Sequence, residues 1–524
     1  MKKIISLSLC AMMALSLSLT GCKPATEPTK AGPTAAPAAK KAEPINVSIA
    51  LSVSSPQTEN TPVQKYVEEA VNAKFKLIPL GGWGDYVTKM NLLMSSPDTM
   101  PNLLWKTGMN AEFEQWKKNG QLVDLLPLLK QNGKNILKYY SKDTLWYYYD
   151  NGKMFALPGD VAEEGAYTLW LRKDWMDKLG LKVPKTTEEL VTVLKAFAAN
   201  DPDGNGKADT YGLSGYQWNY GSTQFELAYG IRNNQWIVQP DGSVKYGAVM
   251  PEMKEVLKIM QDLYKEKAID PNAVTWQKKD VEVFANGKFG AMYGPVAFNN
   301  PSFPRRMDLE KNNPGAQWIA VDLPAGPKGF SADEPSAIGG WCQIAMTTSS
   351  KDPAAVMGIL DKFATPQVFK LRVFGKEGEQ YKVQNGKFEF TIPAEERAKN
   401  GIDLFTHFIN RKDAANVQNT PETTDLFAKR AKSSQPMRER VYFPKNAADT
   451  PKWTKYQPDS NTLVQTYFGQ IISGQKDIAE FEKFVQEWYT KGGKDAELEV
   501  NAQYKKEKAE YQEWSKYYDS NLKP

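Results

Sequence analysis

From Ile45 to Trp105 the apolar residues alternate between two periods, and this alternation limits the possible folds more than any other feature of the chain. Ile45, Val47, Ile49, Leu51 and Val53 stand between small or polar residues, the spacing of a strand with one buried face. Thr61 can then cap a helix whose first residue is Pro62, and Val63, Tyr66, Val67, Ala70 and Val71 share one side of it. Residues 75–80 return to the strand pattern, a glycine loop around Trp83 leads to a helix from about Asp85, and 103–105 is a third strand. Strand, helix, strand, helix, strand predicts a mostly parallel sheet covered by helices, an α/β architecture. Ligands sit beyond the carboxyl ends of such strands. Trp83 and Trp105 stand there, read equally as rings that stack on a ligand and as packing under a loop.

The N-terminus reads as an export address. Lys2 and Lys3 precede an apolar stretch over 4–19, the layout of a signal peptide. Leu19-Thr20-Gly21-Cys22 follows at once and resembles the lipobox of bacterial lipoproteins, in which cleavage before the cysteine leaves a thiol that carries diacylglycerol. The alternative is an ordinary signal peptide with an incidental cysteine. The resemblance implies a signal peptide over 1–21, lipidation of Cys22 with palmitate among the acyl chains, and a lipid-anchored protein on the extracytoplasmic face of the cell membrane. No later stretch offers the roughly 18 uninterrupted apolar residues of a membrane span. Residues 22–44 contain no large apolar side chain and predict a flexible tether, because they cannot bury enough surface to offset their ordering entropy.

Without the leader, Cys22 and Cys342 are the remaining cysteines, and acylation of Cys22 leaves no intramolecular disulfide. A chain of 524 residues can bury enough core to do without one. Without Lys2 and Lys3 the formal charge of +5 falls to +3, which argues against a nucleic-acid partner.

Farther on, Thr186 and Glu189 form a capping box before Leu190, Val193, Leu194 and Phe197, predicting a helix to about Asn200. Asp201, Asp203, Asn205 and Asp209 then occupy positions 1, 3, 5 and 9 of a calcium-loop pattern. Gly206 is at the turn, and the carbonyl of Lys207 would supply position 7. Position 12 is Gly212 in place of a bidentate glutamate, so the loop is a truncated variant. Three carboxylates on one turn repel without a cation, which favours structural Ca2+ over a solvated turn. Near the C-terminus, Ile478, Phe481, Val485 and Trp488 predict a helix stopped by Gly492. Tyr504, Tyr511, Trp514 and Tyr518 continue at helical spacing, a pattern that packs a helix down.

From Leu157 the stretch LPGDVAEEGAYTLWLRKDWMDKLGLKVPKTTEELVTVLKAFAANDPDGNGKADTYGLSG resembles the extracellular solute-binding proteins of ABC importers. It is most similar to the oligosaccharide-binding lipoprotein group related to alginate-binding proteins. FANGKFGAMYGP from Phe284, IGGW from Ile338, KDPAAVMGILDKFATPQ from Lys351 and IISGQ from Ile471 extend the likeness over nearly the whole mature chain. The resemblance implies a two-lobed, type II periplasmic-binding-protein-like fold with a ligand cleft between the lobes. Residues 45–160 and 338–385 are expected in lobe 1, and 161–337 and 386–524 in lobe 2. It further implies a monomer that captures an oligosaccharide and delivers it to the permease subunits of an ABC transporter.

Sugars present flat C–H faces and a rim of hydroxyls, so a site for them needs aromatic rings together with amides or charges. The candidates are Trp83, Trp105, Tyr167, Trp218, Tyr293 and Trp341, with Trp341 first because it follows the glycine pair of IGGW. Trp146, Tyr147, Tyr220 and Trp276 are further aromatic candidates, and Asp85, Glu164, Arg172, Gln217 and Asn219 are polar ones. His407 is the only histidine, and it sits in LFTHFIN, so histidine-based nucleophilic catalysis and zinc sites built on histidine pairs are disfavoured. A glycosidase needs only two carboxylates. An extracellular carbohydrate-active enzyme, or a sugar-sensing or adhesive surface lipoprotein, therefore stays open beside the reading as a binder without catalytic activity.

Overall fold

The computed structural model describes residues 43–51, 59–81, 83–107, 111–159, 166–213, 221–271, 287–299, 304–335, 343–384, 387–402, 404–405 and 421–524. Ile45–Leu51 pairs in parallel with Ala73–Pro79 on one side and Leu103–Thr107 on the other. The helix Pro62–Val71 joins the first two of these strands. The Thr61 hydroxyl caps it, accepting from the Gln64 backbone N–H at 3.2 Å, and Asn72 ends it in the left-handed region. The sheet is mixed, however, and not mostly parallel. Gln343–Met346 returns from far down the chain to insert antiparallel between Leu103–Thr107 and Ala156–Pro158, closing the order at five strands.

A second sheet runs Trp318–Val321, Tyr167–Arg172, Phe289–Pro295, Tyr211–Leu213, antiparallel except for the last pair. The helix Thr187–Ala199 packs on it and ends at Asn200, where the sequence pattern predicts. Its capping box is displaced: Thr186 accepts from the Glu189 N–H at 3.3 Å, but Glu189 Oε2 accepts from the N–H of Lys185, one residue early, at 2.7 Å. A three-stranded sheet of Val244–Tyr246, Trp236–Val238 and Val441–Tyr442 lies under the C-terminal helices.

Apolar burial divides residues 44–524, one compact unit, into two main cores. The first draws on residues between Val47 and Leu157 and between Ile344 and Phe405, and on Trp514, Tyr518 and Leu522. The second draws on residues between Leu169 and Ala332 and between Met437 and Val500. The stretch 386–524 contributes to both cores: Ile402, Leu404 and Phe405 and the end of the last helix belong to the first. Length is the reason. Lys494–Asn521 has 28 residues, and at 1.5 Å each it reaches roughly 40 Å. It buries Ala496 and Val500 in one core and Trp514 and Tyr518 in the other. The Trp514 ring lies 4.8 Å from that of Tyr149, and its N–H donates to the Lys142 carbonyl at 3.0 Å.

Both C-terminal aromatic stripes pack as their period implies. Trp488 is fully buried against Tyr246, with rings 5.4 Å apart and nearly parallel, and Gly492 breaks the helix with φ 143°. Among the described residues no helix is long and apolar enough to cross a membrane.

Trp105, read from the sequence equally as a stacking ring and as packing, is 2 % exposed within the first core, its ring edge-on to Phe363 at 5.5 Å and Phe405 at 6.0 Å. This burial favours the packing side of that reading. Trp105→Ala should therefore cost about 3–5 kcal/mol of stability, the usual loss for a buried aromatic. Chemical denaturation without ligand checks this, and affinity measured on the surviving folded fraction should match that of the unaltered protein.

Candidate ligand site

Two of the chain crossings between the cores bracket one cluster of polar and aromatic side chains. The first crossing leaves Ala156–Pro158 and enters the second sheet at Tyr167; the second leaves Asp333 and Glu334 and re-enters the first sheet at Gln343. Tyr167 and Tyr293 lie two residues apart across paired strands. Their rings stack at 6.2 Å with a 15° tilt, Tyr293 buried and Tyr167 half-buried. The Tyr293 hydroxyl accepts from the Glu334 N–H at 2.9 Å and donates to Asp333 Oδ1 at 3.4 Å. Burial, with Asp333 and Glu334 beside it, pushes this phenol well above its usual range and keeps it neutral.

Arg232 holds the next layer together. Its Nη1 donates to Glu226 Oε2 at 2.6 Å and to the Thr223 hydroxyl at 3.2 Å, and its Nε donates to Glu334 Oε1 at 3.0 Å. Glu226 also accepts from the Ser222 hydroxyl at 2.6 Å and from the Asn233 N–H at 3.0 Å. Burial disfavours the charge on Arg232, but Glu334 and Glu226 outweigh it and hold the guanidinium protonated above its ordinary range. Arg430, on the helix Pro421–Arg438, reaches Asp333 Oδ2 at 3.1 Å and also pairs with Asp322. The Ser433 hydroxyl donates to Asp333 as well. Burial raises the Asp333 carboxyl, while Arg430 and Ser433 pull it back. On the short helix Thr223–Ala228, Gln224 is 1 % exposed, and neither polar atom of its amide has a hydrogen-bond partner among the described residues.

Of the sequence candidates, Tyr167 and Tyr293 are thus brought together. Trp218 and Trp341 lie outside the described residues, as do Glu164, Gln217, Asn219, Tyr220, Trp276 and His407. Trp83 opens the helix Trp83–Met94, but its side chain and that of Asp85 are likewise outside the description. Arg172 braces the second sheet: it forks onto Asp174 at 2.9 and 2.7 Å and lies over the Trp175 ring at 4.3 Å. Trp146 and Tyr147 belong to a different junction, beside the long C-terminal helix. There Lys445 Nζ sits 3.5 Å over the Trp146 ring and donates to the Tyr149 carbonyl at 2.7 Å, and burial pushes the Tyr147 phenol up to about 12. Sequence reasoning missed Arg232, Glu226, Asp333, Glu334 and Arg430. A lone glutamate inside the apolar run FELA at 225–228 was the one visible sign.

The acidic loop after Asn200 is tightly wound, with Gly204 and Gly206 at φ 73° and 74°. Asp201 accepts from the N–H groups of Asn205 at 3.2 Å and Gly206 at 3.0 Å, and Asp203 accepts from the Asn205 N–H at 3.3 Å. The Asn205 amide spans Asp203 at 2.7 Å and Asp209 at 3.1 Å. Lys288 pairs with Asp209 at 2.8 Å, and the Lys207 N–H donates to the Asn205 side chain at 2.7 Å. The hydrogen bond with Asp203 and the Gly206 N–H hold Asp201 below the usual carboxylate range, whereas partial burial and Asp201 itself raise Asp203. At position 12, a Cβ on Gly212 would collide with the Leu194 carbonyl, so packing against the helix bars any side-chain ligand there. Among the described residues no three His, Cys, Asp or Glu side chains gather as a bound metal would require. The donor set is nevertheless all oxygen, the chemistry of a hard cation.

The family model for bacterial extracellular solute-binding proteins matches residues 28–368. Lipoprotein LipO of Bacillus subtilis (strain 168) is 25% identical over 489 residues, 87% of this chain and 91% of that protein. The fructooligosaccharide ABC transporter substrate-binding protein FusA of Streptococcus pneumoniae is 32% identical over 207 residues, 36% of this chain and 38% of FusA. The polygalacturonan/rhamnogalacturonan-binding protein YtcQ of B. subtilis is 30% identical over 222 residues, 40% of this chain and 42% of YtcQ. Among solved structures, alginate-binding protein AlgQ2 without calcium ion superposes with a TM-score of 0.64 at 20% identity, covering 88% of this chain and 98% of AlgQ2. An EF-hand mutant of FusA with fructo-nystose superposes with a TM-score of 0.66 at 19% identity, covering 89% of this chain and all of that one (100%). These structures share the type II periplasmic-binding-protein-like fold that the sequence motifs imply. The chain belongs to the bacterial extracellular solute-binding proteins, a family whose members bind solutes and do not transform them.

Proposed function

We propose that the protein captures an oligosaccharide outside the cell and delivers it to the permease subunits of an ABC importer. The observation that carries this reading is the cluster of stacked tyrosines and buried, hydrogen-bonded charges bracketed by two crossings between the cores. Sugar faces can stack on rings there while hydroxyls find fixed polar groups. The two lobes follow the two cores, with the C-terminal helix shared between them. Closure favours the bound state only if the ligand binds the closed form more tightly, which requires contacts from both lobes. Trp83 and Trp341 are our candidates for lobe 1, and Trp218, Tyr167 and Tyr293 for lobe 2. The names of FusA and YtcQ, both carbohydrate binders, support the ligand class. A bound oligosaccharide should raise the melting temperature, because it binds only the folded state, and it should compact the scattering profile. Trp341→Ala should weaken binding by about 1–3 kcal/mol, the scale of a lost aromatic contact. Identical profiles with and without saturating ligand would argue against closure.

The same proposal places the protein as a monomer on the outer face of the cell membrane, held by diacylglycerol and palmitate on Cys22 through the tether over 22–44. The pattern Leu19-Thr20-Gly21-Cys22 and the likeness to the lipoprotein LipO support it. Cys22→Ala should release the protein from the membrane fraction or leave its leader uncut, as read by fractionation and intact mass. Unaltered protein found wholly unacylated would refute the anchor.

It also includes one structural calcium ion held by Asp201, Asp203, Asn205 and Asp209 and by the Lys207 carbonyl. The all-oxygen donor set supports this. So does the Asp203 carboxyl, which partial burial raises first and its hydrogen bond with Asp201 raises further. An EF-hand in FusA and an AlgQ2 form distinguished by lacking its calcium ion point the same way. The ion would displace Lys288 from Asp209 and neutralise the loop. Chelator should lower the melting temperature, and Asp201→Ala with Asp203→Ala should abolish that response. An unchanged melting curve in chelator, with no metal by elemental analysis, rejects the site.

A further inference from the structure

We infer, resting on the reading that a ligand is captured between two lobes, that Lys445 is a positioning residue for that capture. Its ammonium clasps the first core from a loop rooted in the second and sets the resting angle between the lobes. The root of the loop is firm. Residues 443–450 run from the strand Val441–Tyr442, which pairs with Trp236–Val238, to the helix Pro451–Ile472, and Tyr442 and Trp453 on either side are buried in the second core. Within the loop Asn446 is buried, and its side chain accepts from the Ala448 N–H at 2.9 Å. The Lys445 N–H is pinned as well, donating to Glu507 Oε1 on the last helix at 3.2 Å.

The surface that Lys445 grips is anchored in the first core. Nζ donates to the Tyr149 carbonyl at 2.7 Å and lies 3.5 Å from the centre of the Trp146 ring. Tyr149 pairs with Met154, whose N–H donates to Asp124 at 3.0 Å and whose carbonyl accepts from the Leu125 N–H at 2.6 Å. Trp146 ends the helix Lys142–Trp146, with its ring against Tyr149 and Tyr511. The contact calls for a cation, since an ammonium both donates to a carbonyl and is drawn to a ring face, and an aliphatic chain does neither. Burial disfavours that charge, and Glu507 and Glu510 of the last helix, Asp150 of the first core and Asp449 of the same loop offset part of the cost. Asp150 is shared with Lys117, which it meets at 2.8 Å. A helix docked in both cores still lets them pivot about its axis, and a side-chain contact beside it restricts that freedom. A narrower range of resting angles leaves less ordering for the ligand to impose when it draws the lobes together.

The test uses the full-length protein without any sugar, by small-angle neutron scattering in contrast-matched detergent. Lys445→Ala should broaden the distribution of interatomic distances and raise the radius of gyration, with the helical circular-dichroism signal retained. Lys445→Arg keeps the charge, the donors and the reach, and should restore the unaltered profile. A Lys445→Ala profile that superposes on that of the unaltered protein would overturn the inference. So would a broadening that Lys445→Arg shows equally, because a disturbed loop and not a lost cation would then be the cause. Should Lys445→Ala fail to fold, Trp146→Leu removes the ring contact from the first-core side and should broaden the profile in the same way; an unchanged profile there overturns the inference. No arm of the test depends on the ligand, so a sugar panel that stays silent would overturn the oligosaccharide reading and leave these results to decide the role of Lys445.

Discussion

Arg232 is the charge on which the junction depends. A guanidinium at 4 % exposure survives only if the water it lost is replaced donor by donor, and Glu226, Glu334 and Thr223 do this. The replacement fixes three separate pieces of chain. Glu226 anchors the short helix Thr223–Ala228, Glu334 anchors the start of the second crossing, and Tyr293 is fastened to that crossing through the Glu334 N–H. Breaking a buried pair of this type costs more than forming it contributes, because the orphaned partner stays buried. The cluster is therefore held firmly on the second-core side.

A different economy operates where the long helix spans the cores. Lys445 follows the strand Val441–Tyr442 of the second core, and its ammonium reaches across to the Tyr149 carbonyl and the Trp146 ring. Its own N–H donates to Glu507 at 3.2 Å, on that helix. Burial pushes Lys445 down and Glu507 up, and each carries the charge that steadies the other. This contact and the continuous helix tie the two cores together on this side of the molecule.

Much of both cores was legible because the signals are local. The period-two run from Ile45, the Thr61–Pro62 helix start and the Thr186 cap each depend on residues within one turn or one strand, and each is found where the pattern places it. The mixed order of the first sheet was not legible, since nothing near Leu103–Thr107 announces that Gln343–Met346 will lie beside it. Trp105 shows the same limit for a single side chain. An indole at a strand end has one appearance in sequence, whether it faces solvent or the rings of Phe363 and Phe405.

The sequence by itself determined the lipobox-like pattern, the absence of large apolar side chains over 22–44, the acidic loop and the family likeness, because each resides in neighbouring residues whose chemistry needs no distant partner. It also marked Tyr167 and Tyr293 as aromatic candidates. Only the tertiary structure decided that these two stack, that Asp333 and Glu334 close over them, and that Arg232 is spoken for by carboxylates from opposite directions in the chain. A charge is a binding group or a brace according to what faces it, and in this protein Glu226 and Thr223 reach Arg232 from its own neighbourhood, whereas Glu334 is brought there from 102 residues away by the fold.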